Sequence, residues 1–386
     1  MKIIPRPKYL QRLIDVINTP DIKIITGIRR SGKSKLLNAF IEYVRQSDST
    51  ANIIHIDFNE LRNEQYAEYH ALHEYVESRF TQGVNNYVMI DEVQTCQGFE
   101  KAVNSIHASE KYDIYITGSN AFLMSSDLAT LFTGRTIEIE VFPFSFAEYC
   151  TYFEPSYIQD GFDEYVRIGG MAGAYPLRTE KDRYSYVKDV FQALIVRDVK
   201  QKYKIRNTLV LDKISEFLMD NISNITSLRK VADALNANNI KVDDKTVGKY
   251  AQYLCQAFLF YATKRFDIQG KRYLATLEKY YLADHSFRYA LIGTKNINYG
   301  RTYENIVALE LRRRGYDVYA GYLYKKEIDF VAMRQNEKLY IQVSDDISSP
   351  DTFEREVSSL LKIKDAYPNY SSPVHVMTNT TTKEFA

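Results

Sequence analysis

Ile22-Lys23-Ile24-Ile25-Thr26-Gly27-Ile28-Arg29-Arg30-Ser31-Gly32-Lys33-Ser34-Lys35 is the stretch on which the fold turns. Ile22–Thr26 is short, rich in β-branched residues and closed by a glycine, the pattern of a buried strand. Lys33–Arg45 behind it repeats its apolar residues at helical spacing. Between them, Gly27–Ser34 fits G-x-x-x-x-G-K-[ST] without a mismatch, and this strand-to-helix setting gives the motif its weight. Gly27 and Gly32 let backbone amides curl around phosphate oxygens, where the helix N-terminus adds partial positive charge. The pattern assigns Gly27, Ile28, Arg29, Arg30, Ser31, Gly32, Lys33, Ser34 and Lys35 to a triphosphate cradle. Lys33 then bridges the β and γ phosphates, and Ser34 offers its hydroxyl to Mg²⁺.

Working outward, Ile53–Phe58, Tyr87–Ile90, Ile114–Thr117 and Thr136–Val141 also read as strands, with helices at Tyr66–Phe80 and Phe99–Ser109. Alternation of this kind implies an α/β fold with a mostly parallel sheet covered on both faces. The run Tyr87–Ile90 ends in Asp91-Glu92, which puts two acids at the carboxyl edge of the sheet, where such folds bind ligands. Asp91 is expected to hold Mg²⁺ through water, and Glu92 to polarise the attacking water. The bland alternative is a strand that ends in solvated acids. If Ile114–Thr117 lies between the two motif strands, Ser119 or Asn120 at its tip faces the γ-phosphate; Gly, Ser and Asn are also ordinary turn residues. Arg135, after Thr133-Gly134, is a candidate for an arginine supplied to a neighbouring subunit of a homo-oligomer, or a plain surface residue.

The rest of the chain reads differently. After Pro143 come a short helix at Phe146–Tyr152 and helices at Lys181–Lys204 and Leu209–Asn221. Ser227–Ala237 and Thr246–Leu254 follow, joined by the polar Asn238–Lys245, then strands at Ala257–Thr263 and Arg272–Ala275: a winged-helix pattern. A final mixed unit has a helix at Arg301–Arg314, strands at Tyr316–Tyr319, Glu327–Met333 and Lys338–Val343, a helix at Phe353–Ala366 and a strand at Val374–Met377. The expected domains are 1–205, a P-loop ATPase with a helical lid; 206–280, a winged helix; and 281–386, an α/β unit. In the second, Asp243 and Asp244 open the helix that would read DNA and repel phosphate, while Lys241, Lys245 and Lys249 offset them. Lys264, Arg265, Lys271 and Arg272 flank the wing. Contact with DNA and packing against the ATPase core both remain open.

Composition narrows the field. At 386 residues the chain exceeds one ordinary core, and 45% hydrophobic with 26% charged residues is the balance of a globular protein. A formal charge of +1 excludes a chain-wide basic field, so any DNA contact must be local. No run is long and apolar enough for a membrane span, and Met1–Pro7 has no signal-peptide core, so a cytoplasmic location is expected. Cys96, Cys150 and Cys255 lie far apart with no C-x-x-C, which argues against zinc or a disulfide framework.

These motifs together resemble the bacterial and archaeal AAA-type (AAA_14) ATPases whose C-terminal half is the DUF4143 region. The likeness runs from Pro5-Arg6-Pro7-Lys8-Tyr9-Leu10 and Thr26–Ser34 through Ile90-Asp91-Glu92-Val93-Gln94, Thr117-Gly118-Ser119-Asn120 and Gly134-Arg135. It continues in Arg167-Ile168-Gly169-Gly170-Met171, Tyr281-Leu282-Ala283-Asp284, Tyr303-Glu304-Asn305 and Glu327-Ile328-Asp329-Phe330. The resemblance implies an ATPase core like those of origin-recognition and signal-transducing ATPases, a winged helix and a nuclease-like fold, and it alone makes the nucleotide ATP. One departure is visible: Ala172 follows Met171 where relatives carry proline, and a proline comes only at Pro176.

The last unit resembles the PD-(D/E)xK nuclease arrangement, in which carboxylates hold Mg²⁺ and a lysine helps activate water. Glu304 and Asp329 match the acids, but Gln342 stands for the second strand carboxylate and Ser344 for the lysine. Both changes weaken the chemistry, so the expectation is a restriction-endonuclease-like fold without activity, serving binding or oligomerisation. The leading expectation for the whole chain is Mg²⁺-dependent ATP hydrolysis that drives a switch or motor. An ATP-gated DNA nuclease, or a nucleotide-dependent DNA-binding regulator with little turnover, is the alternative.

Overall fold

The computed structural model describes residues 4–118, 132, 134–270, 272–295, 297–323, 326–345, 349–350, 354, 358, 374–377 and 382–385. They form two compact units: residues 1–143 with 193–202, and residues 144–192 with 203–386.

Unit 1 is built on β1 (Ile22–Thr26), β2 (Asn52–Asp57), β3 (Asn86–Asp91), β4 (Asp113–Thr117) and β5 (Thr136–Glu140), in the order β2-β3-β4-β1-β5. Every pairing is parallel. Such strands are buried on both faces, so their sequences read as continuous apolar runs whose alternate residues serve opposite layers. Ile22, Ile24, Ile54, Ile56, Val88, Ile90, Ile114 and Ile116 pack with α3 (Tyr69–Ser78) and α4 (Phe99–Ala108) through Leu72, Val76, Phe99, Val103 and Ile106. Ile25, Tyr87, Met89, Tyr115 and Val141 face the other way, onto α1 (Pro7–Ile14) and α2 (Lys33–Ser47). The buried stripe Leu36, Leu37, Phe40, Ile41 and Val44 keeps α2 pressed there. That fixes the axis of the helix whose N-terminus begins at the glycine loop.

Unit 2 contains α5 (Phe146–Phe153), α6 (Ile158–Ile168), most of α7 (Glu180–Ala193), α8 (Thr208–Asp220), α9 (Leu228–Ala237), α10 (Asp244–Gln256), α11 (Ser286–Ile292) and α12 (Tyr299–Arg313). Its sheet joins β6 (Ile225–Thr226), β7 (Phe260–Asp267), β8 (Arg272–Leu282), β9 (Asp317–Leu323), β10 (Lys326–Arg334), β11 (Glu337–Val343), β12 (Val374–Met377) and β13 (Thr382–Phe385). The order is β13-β12-β11-β10-β9-β7-β8-β6. The hairpin β7–β8 follows the helix pair α9–α10, and β7 pairs in parallel with β9, so residues 206–280 and 281–386 share one sheet. Residue 280, the expected boundary, falls inside β8. Residues 144–192, expected within 1–205, cluster with unit 2.

Three other differences concern single elements. β8 runs to Leu282 rather than stopping at Ala275: a register shift between Thr263 and Arg265 and a left-handed Leu277 let the pairing resume through Glu278-Lys279. The helix expected over Lys181–Lys204 is α7 followed by a π-helix, Leu194–Gln201. Helices α6 and α11 add to the expected set; α6 runs unbroken through Gly161, where a Cβ would meet Pro155 at 2.7 Å. The helix expected over Phe353–Ala366 falls largely outside the described residues.

Several of the late sequence signposts explain one another. Asp284 accepts the Gly170 N–H at 2.6 Å and the Ser286 N–H at 3.0 Å. A Cβ on Gly169 would lie 2.2 Å from its Oδ1, and φ there is +74°, so the paired glycines make room for this carboxylate. Asn305 exchanges hydrogen bonds with both backbone groups of Leu282, at 2.7 and 3.0 Å. These residues lock α6, β8, α11 and α12 together.

Candidate nucleotide site

Strand β1 ends at Thr26 and the chain turns sharply. Gly27 has φ +126°, Arg30 is left-handed at φ 66°, and Gly32 is left-handed as it caps α2. A side chain at Gly27 is excluded by space as well as by φ, because its Cβ would lie 2.2 Å from the Val141 carbonyl oxygen. The loop curls back on itself: Lys33 Nζ donates to the carbonyls of Gly27 at 2.9 Å and Ile28 at 3.1 Å. Burial lowers the Lys33 pKa, and the fields of Glu92, Asp91 and Asp198 work against that fall. Ile28 and Ser31 are buried, Arg29, Gly32 and Ser34 half-buried, and Arg30 and Lys35 exposed. Ser31 is 3% exposed, yet its hydroxyl makes no hydrogen bond to any described residue. A buried orphan hydroxyl within a curl of amides, beside an ammonium, suits an anionic ligand that brings acceptors of its own.

The acids arrive at the same edge. β4 lies between β3 and β1, and the Thr117 hydroxyl at its end donates to Asp91 Oδ1. Thr117 Oγ1 in turn accepts the Glu92 N–H at 3.2 Å. Burial raises the Asp91 pKa; hydrogen bonds from Ser34 and Thr117 oppose that rise, placing the Ser34 hydroxyl on the very carboxylate assigned to the metal. Glu92 is left-handed (φ 55°, ψ 48°), an uncommon state for a residue with a side chain and one that recurs at active sites. Gln94 Nε2 donates to its carboxylate at 2.5 Å. Ser34, Asp91 and Thr117 are thus physically connected, and Glu92 is turned out of the strand and held.

Ser119 and Asn120 lie outside the described residues. Arg135 is exposed and precedes β5, where its carbonyl accepts the Ile22 N–H at 3.0 Å. Ile22 pairs with Thr136 at the amino end of β1, so Arg135 lies roughly 16 Å along the strands from the loop of its own chain.

Three contributors escaped the sequence reading. Arg6 donates to the Ser31 carbonyl at 2.9 Å and to the Phe142 carbonyl at 2.9 Å, pinning the loop to the segment after β5; its guanidinium stacks on Tyr9 at 4.3 Å. The signal was present as the Arg6-Pro7-Lys8-Tyr9 run, with nothing local to give it a role. Gln94 is two residues beyond the acids, and only the left-handed turn at Glu92 brings it back. Asp198, on the π-helix, comes within 3.6 Å of Arg29 across a gap in sequence that no local pattern spans.

A second polar cluster lies in unit 2. Lys279 Nζ is 2.7 Å from Glu304 Oε1, 2.5 Å from Glu327 Oε1 and 3.6 Å from Asp329 Oδ1. Tyr281 donates to Glu304 Oε1 at 2.7 Å, and the Val343 N–H to Asp329 Oδ2 at 2.8 Å. Gln342 Oε1 accepts the Asp329 N–H at 3.3 Å. Burial and the neighbouring Asp329 push Glu304 up to about 8. Among the described residues no group of three His, Cys, Asp or Glu side chains is arranged to hold a metal ion. The acids expected to converge do so, around an ammonium.

Residues 19–150 match the family described as AAA domain, AAA_14. An uncharacterised protein of Haemophilus influenzae is 35% identical over 371 residues, covering 95% of this chain and 92% of that one. The chain belongs to this AAA-domain family. An uncharacterised protein of Methanocaldococcus jannaschii is 28% identical over 382 residues, covering 95% of this chain and 84% of that one. Residues 159–298 match a domain of unknown function, DUF8612, where DUF4143 was expected. Among solved structures, Aeropyrum pernix ORC1 in complex with DNA aligns at TM-score 0.32 and 11% identity, over 81% of this chain and 94% of that one. AMPPCP-bound DnaA from Aquifex aeolicus aligns at TM-score 0.32 and 16% identity, over 64% and 86%. Alignments this loose carry no functional information. Among the described residues no helix is long and apolar enough to cross a membrane.

Proposed function

We propose that this family member binds ATP with Mg²⁺ at the Gly27–Ser34 loop, hydrolyses it, and uses turnover to switch the arrangement of its second unit. One observation carries the reading: the Thr117 hydroxyl ties Asp91 and Glu92 to the end of β4, the strand between the acids and the loop. A triphosphate held by the loop amides and Lys33 would then face both acids. Ser34 and Asp91 would hold the magnesium, which neutralises developing charge on the phosphates. Glu92 would orient the attacking water and take its proton, with Gln94 holding the carboxylate meanwhile. Support for a switch is topological: the chain passes between the two units at residues 143/144, 192/193 and 202/203, so a change at the loop has three covalent routes out.

Phosphate release and nucleotide retention test this together. Lys33→Ala should abolish retention. Glu92→Gln should keep it while turnover falls at least about 100-fold. Wild-type protein that retains no Mg²⁺-ATP at millimolar ligand sinks the reading. A specific rate that rises with protein concentration would support Arg135 acting on a neighbouring subunit. The nuclease alternative is disfavoured by the ammonium of Lys279 at the centre of its acids. Mg²⁺- or Mn²⁺-dependent DNA cleavage that disappears in Asp329→Ala would restore it. For the helix pair and hairpin at 227–282, a winged-helix contact with DNA is the reading to test, by the salt dependence of binding.

A further inference from the structure

Arg6 is 7% exposed and lies 25 residues before Ser31 and 136 before Phe142, yet it grips both. Nη1 donates to the Ser31 carbonyl and Nη2 to the Phe142 carbonyl, each at 2.9 Å. The strut behind this grip is stiff. Arg6 is the N-cap residue of α1, and its carbonyl accepts the N–H groups of Tyr9 at 3.1 Å and Leu10 at 3.0 Å. Its guanidinium lies on the Tyr9 ring, whose hydroxyl accepts the Phe142 N–H at 3.4 Å. The consequence lies one bond further on. The Ser31–Gly32 peptide is planar and trans, so its N–H points away from its C=O. A guanidinium that holds the Ser31 carbonyl therefore turns the Gly32 N–H the opposite way. The Ser31 N–H is spent on the Ile28 carbonyl at 3.2 Å, whereas the Gly32 N–H has no acceptor among the described residues. Gly32 is left-handed at φ +100°, and glycine turns freely, so contacts rather than side-chain sterics set the direction of its amide.

We propose that Arg6 is a positioning residue of the nucleotide site: by holding the Ser31 carbonyl it aims the Gly32 N–H at a phosphate oxygen. This rests on the nucleotide-binding reading above and deepens it, because it names a side chain outside the glycine loop that sets the loop's shape. Positive charge near a polyanion is a competing account of the same arginine, and the two separate cleanly. A lysine keeps the charge, but as a point donor it cannot span both carbonyls and has no flat face for Tyr9. Orientation therefore requires the guanidinium, and charge alone does not.

Titration of the full chain with fluorescently labelled ATP at fixed Mg²⁺, well below the unfolding transition of each variant, tests this. One hydrogen bond to a charged group is at stake, so Arg6→Ala should bind at least about tenfold more weakly. Arg6→Lys, the milder change, should lose nearly as much. In turnover the loss should fall on KM, with kcat within about threefold. An arginine that serves folding alone would instead lower the binding stoichiometry and kcat together and leave the affinity of the folded fraction unmoved; that pattern overturns the proposal. Wild-type affinity in Arg6→Lys overturns it too, since charge would then suffice. Failure of the wild type to bind nucleotide is a separate result, and it removes the functional reading itself.

Discussion

Gly27 and Gly83 make a useful comparison, because both have a positive φ that strains a side chain but only Gly27 is crowded. Gly27 has φ +126° and Gly83 φ +81°, so alanine costs roughly 1–2 kcal/mol of backbone strain at Gly83 and more at Gly27, which lies further from the left-handed region. At Gly83 no atom of the described residues beyond its chain neighbours lies within 4 Å of the added carbon. At Gly27 the carbon would be 2.2 Å from Val141 O and 3.0 Å from Val141 C, which are backbone atoms. They cannot swing aside. The Val141 N–H is bonded to the Thr26 carbonyl at 2.9 Å, and Thr26 pairs with Glu140, so retreat means unzipping β5 from the end of β1. Overpacking against rigid surroundings adds about 1–3 kcal/mol or more. Gly27→Ala should therefore be less stable than Gly83→Ala by about 2 kcal/mol, and it should also lose nucleotide retention. Both residues belong to unit 1, so calorimetry can follow one transition for both variants. Equal melting shifts would mean that the Gly27 turn yields to a side chain, refuting the claim that contact with Val141 dictates the glycine.

Further outcomes follow from other contacts. Gln94→Leu removes the amide that holds Glu92, so kcat for ATP hydrolysis should fall about tenfold with KM within about twofold; a raised KM at constant kcat would instead make Gln94 a binding residue. Glu304 is raised in the folded chain to about 8 by burial and by Asp329, above its ordinary value of 4.5. Its contribution to stability is therefore fully present below about pH 4.5 and lost as pH rises through about 8. Urea unfolding of unit 2 should weaken over that window in the wild type and flatten in Glu304→Gln; an unchanged slope in the variant would exclude Glu304 as the source. Lys23 is fully buried and pairs with Asp113 at 2.5 Å, so Lys23→Met alone should cost about 3–5 kcal/mol, with much of it regained in Lys23→Met/Asp113→Asn. If the double variant is no better than the single one, the ammonium matters for more than this charge pair.

How much of this was legible depended on whether the decisive signal was local. The sheet of unit 1 was readable because each strand carries its own signature: an apolar run short enough to be buried, followed by glycine or acid. The glycine loop and Asp91-Glu92 were readable for the same reason, since strand ends in parallel sheets converge on one edge. Arg6 and Asp198 were not, because nothing near either residue marks it as facing Ser31 or Arg29. Contacts between residues 25 and 169 positions apart are set by packing, and packing leaves no periodic trace. β8 was cut short for a related reason. Two charged residues in a row, Glu278-Lys279, hide a buried strand unless one knows that three carboxylates await the ammonium inside.

That last misreading bears on what unit 2 can do. Read strand by strand, Ser344 in place of a lysine looks like loss of function. The structure supplies a lysine to the same acids from β8, but buries it so deeply that its ammonium bonds to Glu304 and Glu327 at once. A lysine that assists water must reach solvent and substrate; one that is 1% exposed among carboxylates acts as a resident cation instead. With Glu304 raised toward neutrality by burial, the excess of negative charge around the ammonium is reduced, though Glu327 and Asp329 still outnumber it. The residues that looked like remnants of metal chemistry are better explained as the polar core that holds α12, β8 and β10 together.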